Sequence, residues 1–370
     1  MLTRRLENVR QRLTAQGIDC LALVPGSNLR YLTGMDFVLL ERPFITLIPA
    51  NETADPVLVI PELEVPTWKR GAHFEARLFA WDDKSGPDQA MRQASEALPG
   101  MRTLAVEYLR MRVLEHDLIS RFVPDVRMVK GEAVLDPLRM RKDASEIASL
   151  RRAVEVAEAA LEEVVSSLSP GLTEREVCNQ LTSAILLGGG ESVPIEPIVL
   201  SGPRSALPHG RPGERRVEAG DILLIDFVMT VDGYHSDITR TFVVGQEPDG
   251  RLREVYAAVR AANEAGRAAV RPGVACQDVD RVTRQVLVDA GLGEHFIHRT
   301  GHGLGLDVHE EPGIVEGNDM PLEEGMVFTV EPGVYLEGWG GVRIEDDVAV
   351  TEDGCETLTT FSRELRVVAT

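Results

Sequence analysis

Two stretches of this 370-residue chain share one design: GDILLIDFVMTVDGYHSDITRTF at 220–242 and GMVFTVEPGVYLEGWGGVRIED at 325–346. Each begins with a glycine, continues through apolar residues and reaches an acid six residues later, Asp226 in the first stretch and Glu331 in the second. Short apolar runs of this kind, bounded by turn residues, are typical of buried strands. The shared design suggests that one structural unit occurs twice.

The residues in front of these strands support the duplication. PGLTEREV at 170–177 resembles PGVACQDV at 272–279, and each motif opens a helical segment that closes at a glycine, Gly188 or Gly291. The offset is 102 residues between the two motifs and 105 residues between the two acids. A duplicated unit of this kind predicts an α+β fold, with helices and antiparallel strands related by a pseudo-twofold axis.

Each stretch carries a second acid beyond a turn. Asp226 is followed by DG and then Asp237, while Glu331 is followed by GWGG and then Glu345. Such turn residues are typical of hairpins, which bring both acids of a stretch to the same level. Four carboxylates converging among apolar residues repel one another and are costly to desolvate. The sequence therefore predicts two divalent cations between them; the alternative is that these acids are solvated turn residues.

A fifth ligand is expected from His302, within HRTGHGLGLDVHE, where the glycines permit close approach of the backbone to a ligand. A lone histidine is more often structural, but six of the eight histidines fall between residues 209 and 309. A set of four carboxylates and one imidazole favours manganese, with cobalt or zinc as alternatives.

A separate N-terminal domain is expected over residues 1–132, followed by a catalytic domain over 133–370. The first part alternates an amphipathic opening helix with strand-like runs, among them CLALV, PFITLIP, PVLVIP and TLAVE, and so predicts a smaller α/β domain. Asp143 and Glu146 form a capping-box pattern at the start of the first long helix of the second domain.

Composition excludes several functions. The formal net charge of −20 and the absence of a basic stretch argue against nucleic-acid binding. The four cysteines are widely spaced, the N-terminus has no apolar core of a signal peptide, and no apolar run is long enough for a membrane span. We therefore expect a cytoplasmic protein with reduced thiols and no membrane partner.

The motifs SDITRTF, GHGLGLDVHE, TVEPG and GVRIED resemble the signatures of the pita-bread metallopeptidases, a family that includes prolidase, aminopeptidase P and methionine aminopeptidase. The resemblance covers residues 140–370 and implies a pita-bread catalytic domain with two metal ions and a bridging hydroxide. The N-terminal domain, with YLTG at 31–34, resembles the extra domain of the proline-specific branch. We expect this domain to gate the substrate and to contribute oligomer contacts.

The resemblance also implies a role for each ligand. It assigns Asp226 to one metal and Glu331 with His302 to the other, and it lets Asp237 and Glu345 contact both.

Other residues are expected to surround the ions. The resemblance implies that three histidines hold the substrate and stabilise the tetrahedral intermediate: His209, His298 and His309. Arg343 matches an arginine tied to the site, and it either contacts substrate or forms a salt bridge that orients Glu345. Trp339 either walls the substrate pocket or covers its hairpin.

The expected function is hydrolysis of the bond between an N-terminal residue and proline in a small peptide, by a homodimer. Prolidase, which cleaves dipeptides, is favoured over aminopeptidase P, which acts on longer peptides. The weaker alternatives are a methionine aminopeptidase, a metal-free binding protein of the same fold, and a hydrolase of phosphoesters. A dipeptidase needs a donor for the free proline carboxylate, from among His298, Arg299, His309 and Arg343, and a wall, for which segment 35–44 is the candidate.

Overall fold

A computed structural model describes residues 2–369 of the chain. They form two compact units, of which the first ends at Arg139. The boundary expected after residue 132 thus falls earlier than the structural division, because helix Glu132–Arg139 packs on the opening helix Leu2–Ala15 of the first unit.

The first unit is an α/β domain. Its helices are α1 (Leu2–Ala15), α2 (Ser27–Thr33), α3 (Val65–Gly71), α4 (Asp88–Ala97), α5 (Val113–Phe122) and α6 (Glu132–Arg139). Its strands are β1 (Cys20–Leu23), β2 (Ile45–Pro49), β3 (Val57–Pro61), β4 (Arg77–Trp81), β5 (Thr103–Val106) and β6 (Arg127–Lys130).

These strands form one mixed sheet in the order β4-β3-β2-β1-β5-β6. Strands β1, β5 and β6 are parallel, whereas β2 runs antiparallel to both β1 and β3. Every residue of β1, β2, β3 and β5 is buried, as in sheets that are covered on both faces. The four apolar runs noted in the sequence are these four strands, so the strand predictions for this unit are confirmed.

The second unit is larger and mostly antiparallel. Its helices are α7 (Ala144–Ser167), α8 (Glu174–Leu187), α9 (Gly250–Ala269) and α10 (Cys276–Asp289). Its strands are β7 (Ile198–Ser201), β8 (Ile222–Val231), β9 (Tyr234–Val244), β10 (Gly301–Gly303), β11 (Glu310–Ile314), β12 (Val327–Val330), β13 (Gly333–Leu336), β14 (Gly340–Arg343), β15 (Asp346–Val350), β16 (Cys355–Thr357) and β17 (Val367–Val368). Across residues 2–369, none of the helices combines the length and apolar character that crossing a bilayer requires.

The strands of the second unit are shared between two larger sheets and a short ribbon. The sheets have the orders β17-β9-β8-β7 and β11-β10-β12-β15-β16, and β13 pairs with β14. Helices α7 and α8 pack together, as do α9 and α10. Short bridges in front of the second helix of each pair, Thr173 to Arg216 and Ala275 to Pro321, repeat with offsets of 102 and 105 residues. The duplicated α+β architecture expected from the sequence is confirmed.

The first hairpin joins β8 and β9 through Asp232 and Gly233, whose φ values of 52° and 80° are those of a type I′ turn. In its register Asp226 lies opposite Thr239, and Asp237 lies opposite Val228. Because side chains alternate along a strand, Asp226 and Asp237 are diagonal neighbours on one face.

The second hairpin is interrupted at its acids. Val330 of β12 lies opposite Asp346 of β15, and Gly333 of β13 lies opposite Arg343 of β14. The same register through the interval places Glu331 opposite Glu345. There the backbone N–H of Glu331 donates to the carbonyl of Thr300 (2.8 Å), and that of Glu345 donates to Thr239 (3.1 Å). These bonds tie Glu331 to the segment just before β10 and Glu345 to β9.

Helix α7 packs on strands β8 and β9 of the second unit and covers the sheet that carries Asp226 and Asp237. A matched pair of leucines tests this packing. Leu161 in α7 is fully buried, whereas Leu187 at the end of α8 is 88% exposed. We expect Leu161→Ala to lower the free energy of unfolding by about 2–5 kcal/mol, because it leaves a cavity. Leu187→Ala is expected to change it by less than about 0.5 kcal/mol. Urea denaturation of both variants measures this, and equal losses would contradict the assigned core.

Candidate metal centre

His302 reaches the interior because glycines flank it in β10. A Cβ on Gly301 would lie 1.8 Å from the carbonyl oxygen of Thr329, and a Cβ on Gly303 would lie 2.2 Å from that of Glu311. Only glycine therefore allows β10 to lie so close between β11 and β12, as the sequence predicted for this motif.

The five residues predicted as ligands come together in the second unit. The Nε2 atom of His302 lies 3.4 Å from Oε1 of Glu331 and 3.7 Å from Oδ2 of Asp237. Ligand atoms of Asp237, His302 and Glu345, all buried, lie within 4.8 Å of one another. Asp226 lines the same cavity.

The tautomer of His302 gives this cluster its electrostatic character. Its Nδ1 lies 3.1 Å from the carbonyl oxygen of Gly303, so Nδ1 carries the proton and Nε2 presents a lone pair to the carboxylates. Burial lowers the pKa of His302 to about 3, so the ring is neutral at physiological pH. A lone pair facing two carboxylate oxygens is repulsive unless a cation lies between them.

The carboxyl groups of the cluster also experience electrostatic repulsion. Burial, followed by repulsion from neighbouring carboxylates, raises the pKa of Asp237 and Glu345 well above the usual range. Burial raises the pKa of Glu331 to about 7, although Arg343 opposes the shift. The Oδ1 atom of Asp237 is buried and has no hydrogen-bond partner among residues 2–369.

These observations fit a divalent metal. Inward-facing carboxylate oxygens, an imidazole lone pair and an unpartnered buried oxygen are the donors that divalent cations bind, and binding removes the repulsion among them.

Arg343 is fixed inside this cluster. Its Nη2 donates to Oδ2 of Asp226, its Nη1 donates to the hydroxyl of Tyr335 (2.5 Å), and its Nε donates to Oγ1 of Thr239 (3.1 Å). Thr239 in turn donates to Oε2 of Glu345 at 2.5 Å. The salt bridge expected between Arg343 and Glu345 is therefore wrong, because the guanidinium reaches Asp226 and pairs with it instead. Arg343 contacts Glu345 only indirectly, through the hydroxyl of Thr239.

His298 also has its hydrogen bonds within the protein. Its Nδ1 donates to the carbonyl oxygen of Arg299 (2.8 Å), and its Nε2 accepts from the hydroxyl of Tyr335 (2.9 Å). Burial lowers the pKa of His298 to about 4, which is consistent with a neutral ring in this tautomer. Both ring nitrogens are thus occupied, and in this arrangement His298 orients Tyr335.

A cavity of about 380 Å³ opens onto these residues. All nine residues predicted for the site line it: His209, Asp226, Asp237, His298, His302, His309, Glu331, Arg343 and Glu345. Arg299 lines it as well, and the ring of His309 lies 4.2 Å from that of His302. Trp339 is not among the lining residues; it packs against the apolar core beside its hairpin, beneath Arg251.

Three residues at the centre were missed by the sequence analysis. Thr239 lies two residues after Asp237 on β9, so the period-two pattern of a strand places it on the same face. Asp347 accepts the backbone N–H of Asp237 at 3.2 Å, a contact between distant strands that spacing does not reveal. Tyr335 lies opposite Gly341 on the second hairpin, and its role depends on contacts that only the fold provides.

Comparison with known proteins identifies the family of this fold and site. Residues 148–352, more than half of the chain, match the description metallopeptidase family M24, and residues 5–141 match the creatinase/prolidase N-terminal domain. The chain belongs to metallopeptidase family M24. As an M24 metallopeptidase it is a divalent-metal-binding enzyme that hydrolyses peptides, and the expected family and fold are confirmed.

Several solved structures resemble the chain over nearly its whole length. Dipeptidase PepE from Mycobacterium ulcerans is 38% identical, with 99% of this chain and 98% of that chain covered and a TM-score of 0.90. Prolidase from Thermococcus sibiricus is 34% identical, with 100% of this chain and 99% of that chain covered and a TM-score of 0.94. X-Pro aminopeptidase from Thermotoga maritima is 35% identical, with 97% of this chain and 100% of that chain covered and a TM-score of 0.84.

The raised carboxyl pKa values make the stability of the chelated M24 protein depend on pH. The depressed pKa values of His298 and His302 act in the opposite direction, because the unfolded rings, with a pKa of 6.5, bind protons that the folded rings do not. This contribution fades above about pH 7.5, where the unfolded histidines are neutral as well. Glu331, with a folded pKa of about 7 against 4.5 unfolded, still holds protons that the unfolded chain has released. Asp237 and Glu345 shift in the same direction. Stability is therefore lost as the pH rises through this window.

We expect the urea midpoint of the chelated protein to fall between pH 6.5 and 8. Added divalent metal should stabilise the protein more strongly at pH 8, because metal binds the deprotonated carboxylates. Urea titrations at both pH values, with chelator or with metal, measure the two trends. A midpoint that rises with pH in chelator would contradict the geometry of the cluster.

Proposed function

We propose that this M24 peptidase is an Xaa-Pro dipeptidase, which hydrolyses the bond between an N-terminal residue and proline. The observation that carries the proposal is the neutral His302 facing buried carboxylates at 3.4 and 3.7 Å inside a cavity of peptide size. Apolar side chains of Ile195, Ile198 and Val308 line the same cavity and provide a surface for a pyrrolidine ring. The similarity to prolidase and X-Pro aminopeptidase supports the preference for proline, and the similarity to PepE and prolidase supports dipeptides.

The proposed ligands of two divalent ions are Asp226, Asp237, His302, Glu331 and Glu345. Two ions are proposed rather than one because a single divalent cation, together with the Arg343 guanidinium, leaves one of the four negative charges uncompensated. Manganese is the proposed metal, since the set is rich in carboxylate oxygen and contains one imidazole. The expected homodimer and cytoplasmic location stay predictions from the sequence.

When bound, the ions would lower the pKa of a coordinated water towards neutrality and polarise the peptide carbonyl. The chain supplies the surrounding groups. His309 makes no hydrogen bond among residues 2–369, lines the cavity and lies against His302, so its ring can donate to the carbonyl oxygen as charge develops there. His209 lines the cavity too and is exposed, which makes it available to substrate.

Proton supply matters for an Xaa-Pro bond. The proline nitrogen is tertiary in the peptide and must be protonated to leave, so the site needs a donor at that nitrogen. His209 and His309 are the proposed donors, because His298 has both ring nitrogens occupied. Arg343 is proposed to hold Asp226 and Thr239 in place and not to contact substrate.

The second candidate is an Xaa-Pro aminopeptidase that acts on longer peptides. It requires the same ions and the same apolar surface, and the similarity to X-Pro aminopeptidase supports it. The two activities differ in how the far end of the peptide is bound.

A peptide panel tests the proposed function. We expect Ala-Pro to be hydrolysed with a higher kcat/KM than Ala-Pro-Ala, and Met-Ala-Ser to be hydrolysed slowly, with manganese present. The expected order follows from a site that binds proline and a free carboxylate. Faster hydrolysis of Ala-Pro-Ala would establish the aminopeptidase instead, and preference for Met-Ala-Ser would contradict both proline-specific activities.

Measurements of metal content and kcat on variants distinguish the proposed metal ligands from residues that only surround the ions. Asp237→Asn and Glu345→Gln are expected to lose bound metal and to lower kcat by orders of magnitude, because each removes a shared carboxylate. His309→Ala is expected to keep its metal and to lower kcat by about 100- to 1000-fold through the loss of one donor. Elemental analysis and steady-state kinetics on the same preparations measure both effects.

Asp353→Asn is the matched control, since Asp353 is an exposed acid of the same unit outside the cavity lining. A His309→Ala protein without metal, or an Asp237→Asn protein with full metal and full activity, would contradict the assignment.

A further inference from the structure

A buried carboxylate of the second unit lies outside the lining of the cavity and has no part in the site described above. Glu174 is the first residue of α8, and its side chain is completely buried. Glutamate side chains are seldom buried to this extent unless they are paired. The partners of Glu174 therefore indicate what its charge does.

Both carboxylate oxygens of Glu174 accept hydrogen bonds from the ends of one loop. Oε1 accepts from the backbone N–H (2.8 Å) and from the hydroxyl (3.0 Å) of Ser201, the last residue of β7. Oε2 accepts from the backbone N–H of Gly213 at 3.0 Å. Residues 202–212 between these two points form the His209 loop. A single carboxylate thus joins the two ends of this loop at its base.

Arg204 extends the same connection into the loop. Its Nε donates to both oxygens of Glu174, at 3.2 and 3.0 Å, and its Nη2 donates to the carbonyl oxygen of Arg211 at 2.7 Å. The hydroxyl oxygen of Ser205 accepts from the N–H of Gly341 in β14 at 2.8 Å, which holds the first half of the loop on the second hairpin. The loop is therefore held at both ends and across its middle.

The loop carries His209 to the cavity. Pro208 and His209 both line the cavity wall. Within residues 2–369, His209 has no hydrogen bond or ion pair with another side chain or with the backbone. The position of its ring therefore follows the backbone of the loop. A backbone that is fixed beforehand reduces the entropy lost when the ring engages a substrate.

The second repeat holds the segment before its own histidine in a comparable way. Asp280 of α10 is buried, and its Oδ1 accepts from the N–H (3.1 Å) and the hydroxyl (2.7 Å) of Thr300, two residues before His302. In each repeat a buried carboxylate on the second helix of the pair thus fixes the backbone that leads to a histidine of the site. This recurrence favours a role in the site for Glu174.

We infer that Glu174 is a positioning residue of the active site, which joins the ends of the His209 loop and thereby keeps the ring of His209 at the substrate. This rests on the proposed function, in which His209 is a proton donor. Glu174 contacts no substrate itself, since it is completely buried outside the cavity lining. A glutamine at this position offers one acceptor oxygen where the carboxylate offers two, so its amide nitrogen would face an N–H donor at one end of the loop.

Hydrogen exchange tests the effect on the loop without turnover. We expect Glu174→Gln to raise the exchange rates of amides in residues 202–212 by about tenfold or more, because one end of the loop loses its acceptor. Exchange in β8, which carries Asp226, should stay unchanged. Wild-type exchange of the loop in Glu174→Gln would overturn the inference.

Glu176→Gln is the matched control. It makes the same change of charge two residues further along α8, at an exposed position outside the cavity lining. Glutamine preserves the capping box with Thr173. Loop exchange and kcat of this variant should equal those of the wild type, and losses equal to those of Glu174→Gln would overturn the inference.

A double-mutant cycle with His209 tests the effect on catalysis. With Ala-Pro and manganese, Glu174→Gln is expected to lower kcat by about 10- to 100-fold with metal content unchanged, as a small displacement of a reacting group does. In a His209→Ala background the same substitution should change kcat by less than about twofold, because the residue through which Glu174 acts is absent. Equal fold-losses in both backgrounds, or loss of metal from Glu174→Gln, would overturn the inference.

Arg204→Gln provides the same test in a variant that leaves the buried carboxylate intact. The side chain of Arg204 is 38% exposed, so its replacement removes the link from Glu174 to Arg211 without burying an unpaired group. We expect faster exchange of the loop and a smaller loss of kcat than in Glu174→Gln, again with no further loss in the His209→Ala background. Wild-type values of both quantities would overturn the inference.

Failure of the proposed function gives a different result. If the wild type hydrolyses Ala-Ala and not Ala-Pro, the preference for proline is wrong, and the same cycle on Ala-Ala still tests Glu174. If His209→Ala keeps the wild-type kcat on the peptide that the protein hydrolyses, the inference about Glu174 is overturned.

Discussion

Buried carboxylates and a neutral imidazole face one another in the second unit, and bringing them together costs free energy unless cations lie between them. His302 and Glu331 approach to 3.4 Å with a lone pair pointing at an anion. The raised pKa values of Asp237, Glu331 and Glu345 express the same cost, because burial beside other carboxylates disfavours the charged form of each group. Metal binding and the stability of this unit are therefore coupled.

The fold meets this constraint by holding the donors rigidly from several directions. A two-residue turn fixes the register of the first hairpin and places Asp226 and Asp237 on one face. The second hairpin opens where Glu331 and Glu345 lie opposite each other, and their backbone N–H groups donate to the carbonyl oxygens of Thr300 and Thr239. Glycines on both sides of His302 let its strand approach closely enough for the imidazole to join them. The turn, the backbone hydrogen bonds and the flanking glycines together hold the carboxylates close to one another despite their mutual repulsion.

Much of this could be predicted from the sequence, because strand periodicity and turn residues determine which side chains share a face. The hairpin at Asp232 and Gly233, the capping box at Asp143 and the duplicated helix pairs follow from such local patterns. The structure brings all nine predicted site residues to one cavity, and their individual roles stay predictions.

Side-chain partners were harder to predict, because they depend on contacts between residues far apart in the chain. Arg343 is two residues from Glu345, yet it pairs with Asp226, 117 residues away. His298 has both nitrogens occupied because Tyr335 comes from another strand, and no spacing in the sequence reveals that contact. The domain boundary lies after α6 for the same reason, since that helix packs on the distant α1.

Anomalous diffraction from crystals of the manganese-loaded protein, recorded at the manganese edge, tests the central claim most directly. The expected result is two peaks roughly 3.5–4 Å apart, bounded by Asp226, Asp237, His302, Glu331 and Glu345. An absence of peaks in the cavity, or peaks held by other side chains while the peptidase is active, would contradict the account.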